Sequence, residues 1–198
     1  CQGLMAGINA ALQTQSREPF RVRRDESYIG VLVDDLLQHG VDEPYRIFTS
    51  RAEARLTLRH DNADSRLTGY GREIGLVGDS DWDRFNARRD RLAMIRNSLD
   101  NVRFKRSDVV YATAAQMLGT DLGDAFTLGH LAQRPGVKPD MIHRLLPESV
   151  RSQVSTVDLE SALADSLYRG YIETQKVATE RVNKHDAMRV PDVFNLKG

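Results

Sequence analysis

"GDSDWDRFNARRDRLAMIRNSLDN" (residues 78–101) decides the fold class. Trp82, Phe85, Leu92, Ile95 and Leu99 recur at helical spacing, so the stretch predicts one helix with an apolar stripe. Asp79 or Ser80 is expected to cap it, and the acids of its first turn favour the positive end of the helix dipole. Residues 79–90 also mimic a calcium loop, with oxygen-bearing side chains at loop positions 1, 3, 5 and 12. Position 6 is Arg84, where that turn demands glycine, and position 4 is Trp82 on the apolar stripe. The helix is the better reading.

Working outward, "DNADSRLTGYGREIGLV" (61–77) reads as a helix-turn segment broken by Gly69, Gly71 and Gly75. Its "GYGREIG" resembles a dinucleotide-binding loop, but the spacing is one residue off and no buried strand precedes it. A helix terminus fits better. Downstream, a shorter helix is expected over 107–118, then two short ones within 127–147, punctuated by Pro135, Gly136 and Pro139. A long, mostly polar helix should run from Thr156 to about Met188, with Leu159, Leu163, Leu167, Tyr171, Ile172, Val177 and Val182 as its apolar positions and Pro191 as its stop.

Upstream, "CQGLMAGINAA" carries Leu4, Ile8 and Leu12 at helical spacing, and that helix should run to about Gln15. It opens without a capping residue, which predicts a chain cut from something larger. Residues 16–27 read as a polar linker. "YIGVLVDDLLQHG" (28–40) predicts a helix stopped by Gly40. Its Asp34 and Asp35 are adjacent and point apart, so a solvated face is the default. Pro44 makes 41–50 irregular or a short strand. Ser50 and Glu53 form a capping-box pattern that predicts a helix from Arg51. The fold class is mainly α, with few short strands at most.

Composition excludes several functions. The 28 basic and 28 acidic residues balance, so global charge points to neither nucleic acid nor membrane. A single cysteine, Cys1, allows no internal disulfide and fits a reducing compartment. No apolar run reaches the roughly 18 residues a membrane helix needs. The five histidines are scattered without metal-ligand spacing. No G-x-S-x-G motif or Cys–His pair appears, so no catalytic or metal site is assigned.

The basic residues are lopsided in kind. Only Lys105, Lys138, Lys176, Lys184 and Lys197 are lysine; the rest are arginine, whose planar fork grips phosphate or carboxylate bidentately. "YRIFTSRAEARLTLR" (45–59) concentrates Arg46, Arg51, Arg55 and Arg59. As helix or as strand, Arg51, Arg55 and Arg59 would share one side. Like charges four apart in a helix cost about 0.2–0.5 kcal/mol per pair. Acids of the fold, Asp61 and Asp64 for instance, could offset this. So could an external anion, most simply a phosphate backbone.

"QGLMAGINAA", "YIGVLVDDLLQHG", "EPYRIFTSRAEARLTLRHDNADSRLT" and "GREIGL", in this order, resemble the bacterial glucose-inhibited division protein A family (GidA, also called MnmG). "TLGHLAQRP" and "YRGYIETQ" extend the resemblance more loosely over nearly the whole chain. The resemblance implies the helical C-terminal region of a larger α/β, Rossmann-like FAD-binding enzyme. That cytoplasmic enzyme uses FAD, NADH, a methylenetetrahydrofolate carbon donor and a GTPase partner. It installs a carboxymethylaminomethyl or aminomethyl group at C5 of the wobble uridine of transfer RNA, as a homodimer. Residues 1–15 would close the FAD-binding domain, 16–77 would be linker and arginine-rich motif, and 78–198 the helical domain without its final segment. The flavin and nicotinamide motifs and the family's catalytic cysteines are absent, so no cofactor is expected bound here and the piece alone is predicted inactive. Arg46, Arg51, Arg55 and Arg59 fall on the family's arginine-rich motif, associated with activity and transfer RNA. Ala54 stands where the family often has an aromatic residue, and His60 where it often has Glu. A purely structural alternative, a docking or dimerisation scaffold with internally paired arginines, is also consistent with the sequence.

Overall fold

A computed structural model describes residues 1–40, 42–119 and 121–186. The chain forms two compact units: residues 1–21 with 59–169, and residues 22–58 with the chain from Gly170. The described residues are mainly helical, as the periodicities predict, with one small two-stranded sheet.

In the first unit, α1 (Gln2–Thr14) is followed by α3 (Ala63–Glu73), α4 (Asp79–Asn101), β1 (Arg103–Lys105), α5 (Val109–Leu118), β2 (Ala125–Thr127), α6 (Leu128–Ala132), α7 (Pro139–Leu145), α8 (Glu148–Arg151) and the start of α9 (Thr156–Asp186). α4 spans the predicted stretch. Its stripe is uneven, however: Leu92, Ile95 and Leu99 are buried, whereas Trp82 and Phe85 are half-buried and meet each other at 5.3 Å between ring centroids. Neither Asp79 nor Ser80 caps it. The N-cap is Gly78, which has no side chain to form a cap, and Asp79 and Asp81 lie in the first turn.

The core joins Leu92, Ile95 and Leu99 to Leu128 and Leu131 of α6 and Ile142 of α7, with Leu159 of α9 beneath. α6 lies so close to α4 that a Cβ on Gly129 would stand 2.9 Å from the Leu99 carbonyl oxygen. β1 and β2 pair antiparallel with Phe104 opposite Phe126, rings 5.4 Å apart. Thr127 ends the sheet and caps α6, accepting from the His130 amide at 3.1 Å. Gly69 and Gly71 do not break α3, which continues to Glu73 and turns at Gly75, φ +83°. Phe20 packs edge-on against Tyr70, and Asn9 bonds both the amide and the carbonyl of Phe20, tying α1 to the chain that leaves it.

In the second unit, α2 (Tyr28–His39) starts at Ser27, whose hydroxyl accepts from the Ile29 amide at 2.9 Å, and stops at Gly40, φ +64°. Gly30 faces the Arg23 carbonyl so closely that any Cβ there would overlap it. Val31, Ala52, Ala54 and Leu58 form this unit's own core, with Tyr28 against it. The small Ala54, buried here, therefore fills a packed position. The helix expected from Arg51 does not form. A single 3-10 turn covers Thr49–Arg51, and residues 53–57 form turns, because the chain must bring alternate residues Ala52 and Ala54 inward.

α9 is buried early, at Leu159 and Ala162, while Leu167, Tyr171 and Val177 are exposed. The side chain of Val182 and the stop at Pro191 lie outside the described residues.

Truncating the fully buried Leu99 should cost about 2–5 kcal/mol, since the lost contacts and the cavity add. Urea unfolding of Leu99→Ala, followed through Trp82 in the same unit, measures this.

Candidate nucleic-acid interface: the arginine segment

In the second unit the arginines organise around Asp35, not around a helical face. Asp35 sits on α2 with its side chain only 8% exposed. The Tyr45 hydroxyl donates to it at 2.6 Å and Arg51 Nη1 at 3.3 Å, and Arg24 lies 3.6 Å away. Burial pushes the carboxyl up, but the bonds from Tyr45 and Arg51 and the charge of Arg24 outweigh it, holding Asp35 below the usual carboxylate range. Burial and the bond to Asp35 push the Tyr45 phenol up in turn. Arg51 also lies over the Tyr45 ring, 5.3 Å from its centroid. Arg24 completes the cluster by pairing with Asp34 and with Glu53, the latter at 2.8 Å, and by donating to the Arg51 carbonyl. The expected solvated face at Asp34 and Asp35 is thus corrected. Arginines from outside the helix reach both carboxylates.

One carboxylate therefore binds the side chains of both Tyr45 and Arg51. The residues between them have neither partner. Arg46 is exposed, and Ile47 and Phe48 are 46% and 52% exposed. Arg55 is exposed as well. Among the described residues, Arg46 and Arg55 have no ion-pair partner.

Arg59, in the first unit, is different. Its side chain is 13% exposed and reaches Asp61 at 2.9 Å and Asp165 of α9 at 2.5 Å. Burial lowers its pKa, but both carboxylates override this and raise it further. Asp61 also accepts from Ser161, and Arg59 and Ser161 together hold it below its ordinary value despite burial. Arg96 binds the other oxygen of Asp165 at 2.6 Å. Beside this, Asp158, 3% exposed, takes Arg88 at 3.0 Å and Arg91 at 2.8 Å, and Arg88 also pairs with Asp64. Burial pushes Asp158 up, yet the bonds from Arg91, Ser155 and Arg88 bring it below the ordinary range.

The single side expected for Arg51, Arg55 and Arg59 requires a continuous helix or strand, and residues 53–57 are turns instead. Arg59 meets carboxylates, Arg51 is committed to Asp35 and the Tyr45 ring, and Arg46 and Arg55 point their charge at solvent. Sequence reasoning named Asp61 and Asp64, read Asp35 as solvated, and missed Tyr45, Asp158 and Asp165. For the last two a signal existed: Asp158, Ser161 and Asp165 lie on one side of α9, spaced three and four apart.

The described residues do not fit a dinucleotide cofactor. "GYGREIG" lies at the end of α3, with no strand before it among the described residues, and β2 runs directly into α6 with Gly129 packed on a backbone carbonyl. A depression of about 270 Å³ against α1 is lined by Leu4, Ile8, Leu12, Ile74 and Leu76, with no cationic side chain. No cluster of His, Cys, Asp or Glu able to hold a metal ion occurs among the described residues, and no helix there is long and apolar enough to cross a membrane.

Comparison with known proteins gives a consistent result. Residues 79–176 match the family model described as the tRNA modifying enzyme MnmG/GidA C-terminal helical domain. Over 98% of its length the chain is 40% identical to a tRNA uridine 5-carboxymethylaminomethyl modification enzyme MnmG of Thermodesulfovibrio yellowstonii, of which it covers 31%. A relative of the same name from Listeria monocytogenes is 39% identical over 96% of the chain, which covers 30% of it. Among solved structures, Aquifex aeolicus GidA in its form II crystal superposes with a TM-score of 0.75 at 30% identity, over 98% of this chain and 30% of that one. The chain spans about a third of the length of the curated relatives it matches.

The carboxylate network sets an acid limit. Asp61 and Asp158 titrate below their unfolded value of about 3.9, so they stabilise the fold above that pH and lose this contribution as pH falls through their folded values. Stability from urea titrations read at Trp82 should be level from neutrality to about pH 5 and fall below about pH 4. Asp158→Asn should lower stability at neutral pH and flatten the acid slope; an unchanged slope would place the acid sensitivity elsewhere.

Proposed function

We propose that this chain, which belongs to the MnmG/GidA family and whose residues 79–176 match that family's C-terminal helical domain, serves as the helical C-terminal part of the enzyme that modifies the wobble uridine of transfer RNA at C5. In this reading the reaction adds a carboxymethylaminomethyl or aminomethyl group. FAD and NADH are held by parts of the protein outside the described residues, and the enzyme acts as a homodimer with a GTPase partner. Residues 1–15 close the flavin domain, 16–77 bear the arginine motif, and the helical domain, without its final segment, starts at residue 78. The chain's own contribution is contact with transfer RNA and docking of the partner.

The observation that carries this reading is the pair Arg46 and Arg55, exposed and without an ion-pair partner among the described residues. In a chain of formal charge zero, unanswered guanidiniums next to a pinned loop suit phosphate oxygens, which accept bidentate donation. Arg51 sets the loop that presents Arg46. Arg59, in the other unit, is held by Asp61 and Asp165.

A second reading rests on the opposite observation. Arg59, Arg88, Arg91 and Arg96 are all met by carboxylates, as a structural or docking scaffold would have them. The two readings separate on different residues. In the full-length protein, Arg46→Ala with Arg55→Ala should weaken transfer RNA binding and make its salt dependence shallower by about 1 to 2 in log–log slope, as expected for losing one or two phosphate contacts. Arg59→Ala should instead lower the unfolding midpoint. Unchanged affinity and slope in the double variant would reject the RNA-contact reading in favour of the scaffold.

A further inference from the structure

The segment between the two Asp35 anchors has a second property that charge does not explain. Phe48 is 52% exposed, and a phenyl ring left in water is unfavourable. It is also held in place. Its carbonyl accepts from the Arg51 amide at 3.1 Å, opening the 3-10 turn, and its own backbone is extended, φ −104° and ψ +135°. On one side Tyr45 is fixed to Asp35 at 2.6 Å. On the other, Arg51 is fixed to the same carboxylate and to the Tyr45 ring. Residues 44–48 contain no helix or turn. Tyr45 is half-buried against Asp35, while Arg46 and Phe48 are exposed.

An exposed aromatic ring on a pinned loop, two residues from an unanswered guanidinium, matches the chemistry of unpaired RNA. There the phosphate meets the cation and the base face meets the ring. A base inside a duplex presents no free face. We propose that Phe48 is a stacking platform for an unpaired nucleobase of the RNA substrate, with Arg46 on the adjoining phosphate. This rests on the RNA-contact reading above and names the part of the RNA that meets the loop.

Binding of a fluorescent anticodon stem-loop to the full-length protein tests it, with the same sequence closed into a duplex as control. Phe48 is exposed, so Phe48→Ala should fold normally. It should weaken stem-loop binding by about five- to a hundredfold, the range for one stacked base, with the salt slope unchanged and duplex binding unaffected. Phe48→Trp should retain stem-loop affinity. If Phe48→Ala binds the stem-loop like wild type while Arg46→Ala with Arg55→Ala does not, the stacking proposal falls and RNA contact stands. If neither variant alters binding, both fall. If Phe48→Ala leaves RNA binding intact but changes the oligomeric state or capture of the GTPase, the ring is a protein contact and the proposal is overturned.

Discussion

A carboxylate taken out of water must find positive charge or lose its own. Asp35 and Asp158, with side chains 8% and 3% exposed, impose that condition on the two units separately. In the second unit Asp35 collects Tyr45, Arg51 and Arg24 from the segments around α2. In the first, Asp158 collects Arg88 and Arg91 of α4, and Asp165 collects Arg96 of α4 and Arg59. These pairs fasten α9 to α4 and residues 59–64 to both. Each has multiple donors, which is the condition under which a buried ion pair holds its place rather than weakening the fold.

The partition of the arginines follows from this. Like charge concentrated in 45–59 is tolerable because two of the four are drawn to acids, and the turns over 53–57 separate the rest. The arginine-rich segment is therefore not uniform. Part of it is framework and part is surface, and the two parts are distinguished by which carboxylates lie within reach, not by residue type.

Much of the helical order was legible in the sequence because apolar spacing reports burial directly. α4, α5, α7 and the start of α9 carry their core residues at helical intervals, and Gly40 and Gly75 mark real ends. The S-x-x-E signal at Ser50 misled, since capping describes a local preference and the buried pair Ala52 and Ala54 won. Trp82 and Phe85 kept the right spacing but stand beyond the end of the core. The partners of Arg59 and Arg51 were partly hidden because they lie far along the chain: Asp165 is 106 residues from Arg59, and periodicity carries no information over such separations. The same limit hid Phe48, whose exposure depends on where Asp35 fastens the chain.

The cation in every one of these ion pairs is arginine. A guanidinium keeps its charge beyond about pH 12, and acylating agents that neutralise lysine amines do not neutralise it. The pairs that hold both units therefore keep their cations on the alkaline side. They are also indifferent to lysine acetylation. The charge framework is one-sided, vulnerable to protons added to its acids and inert to chemistry aimed at amines.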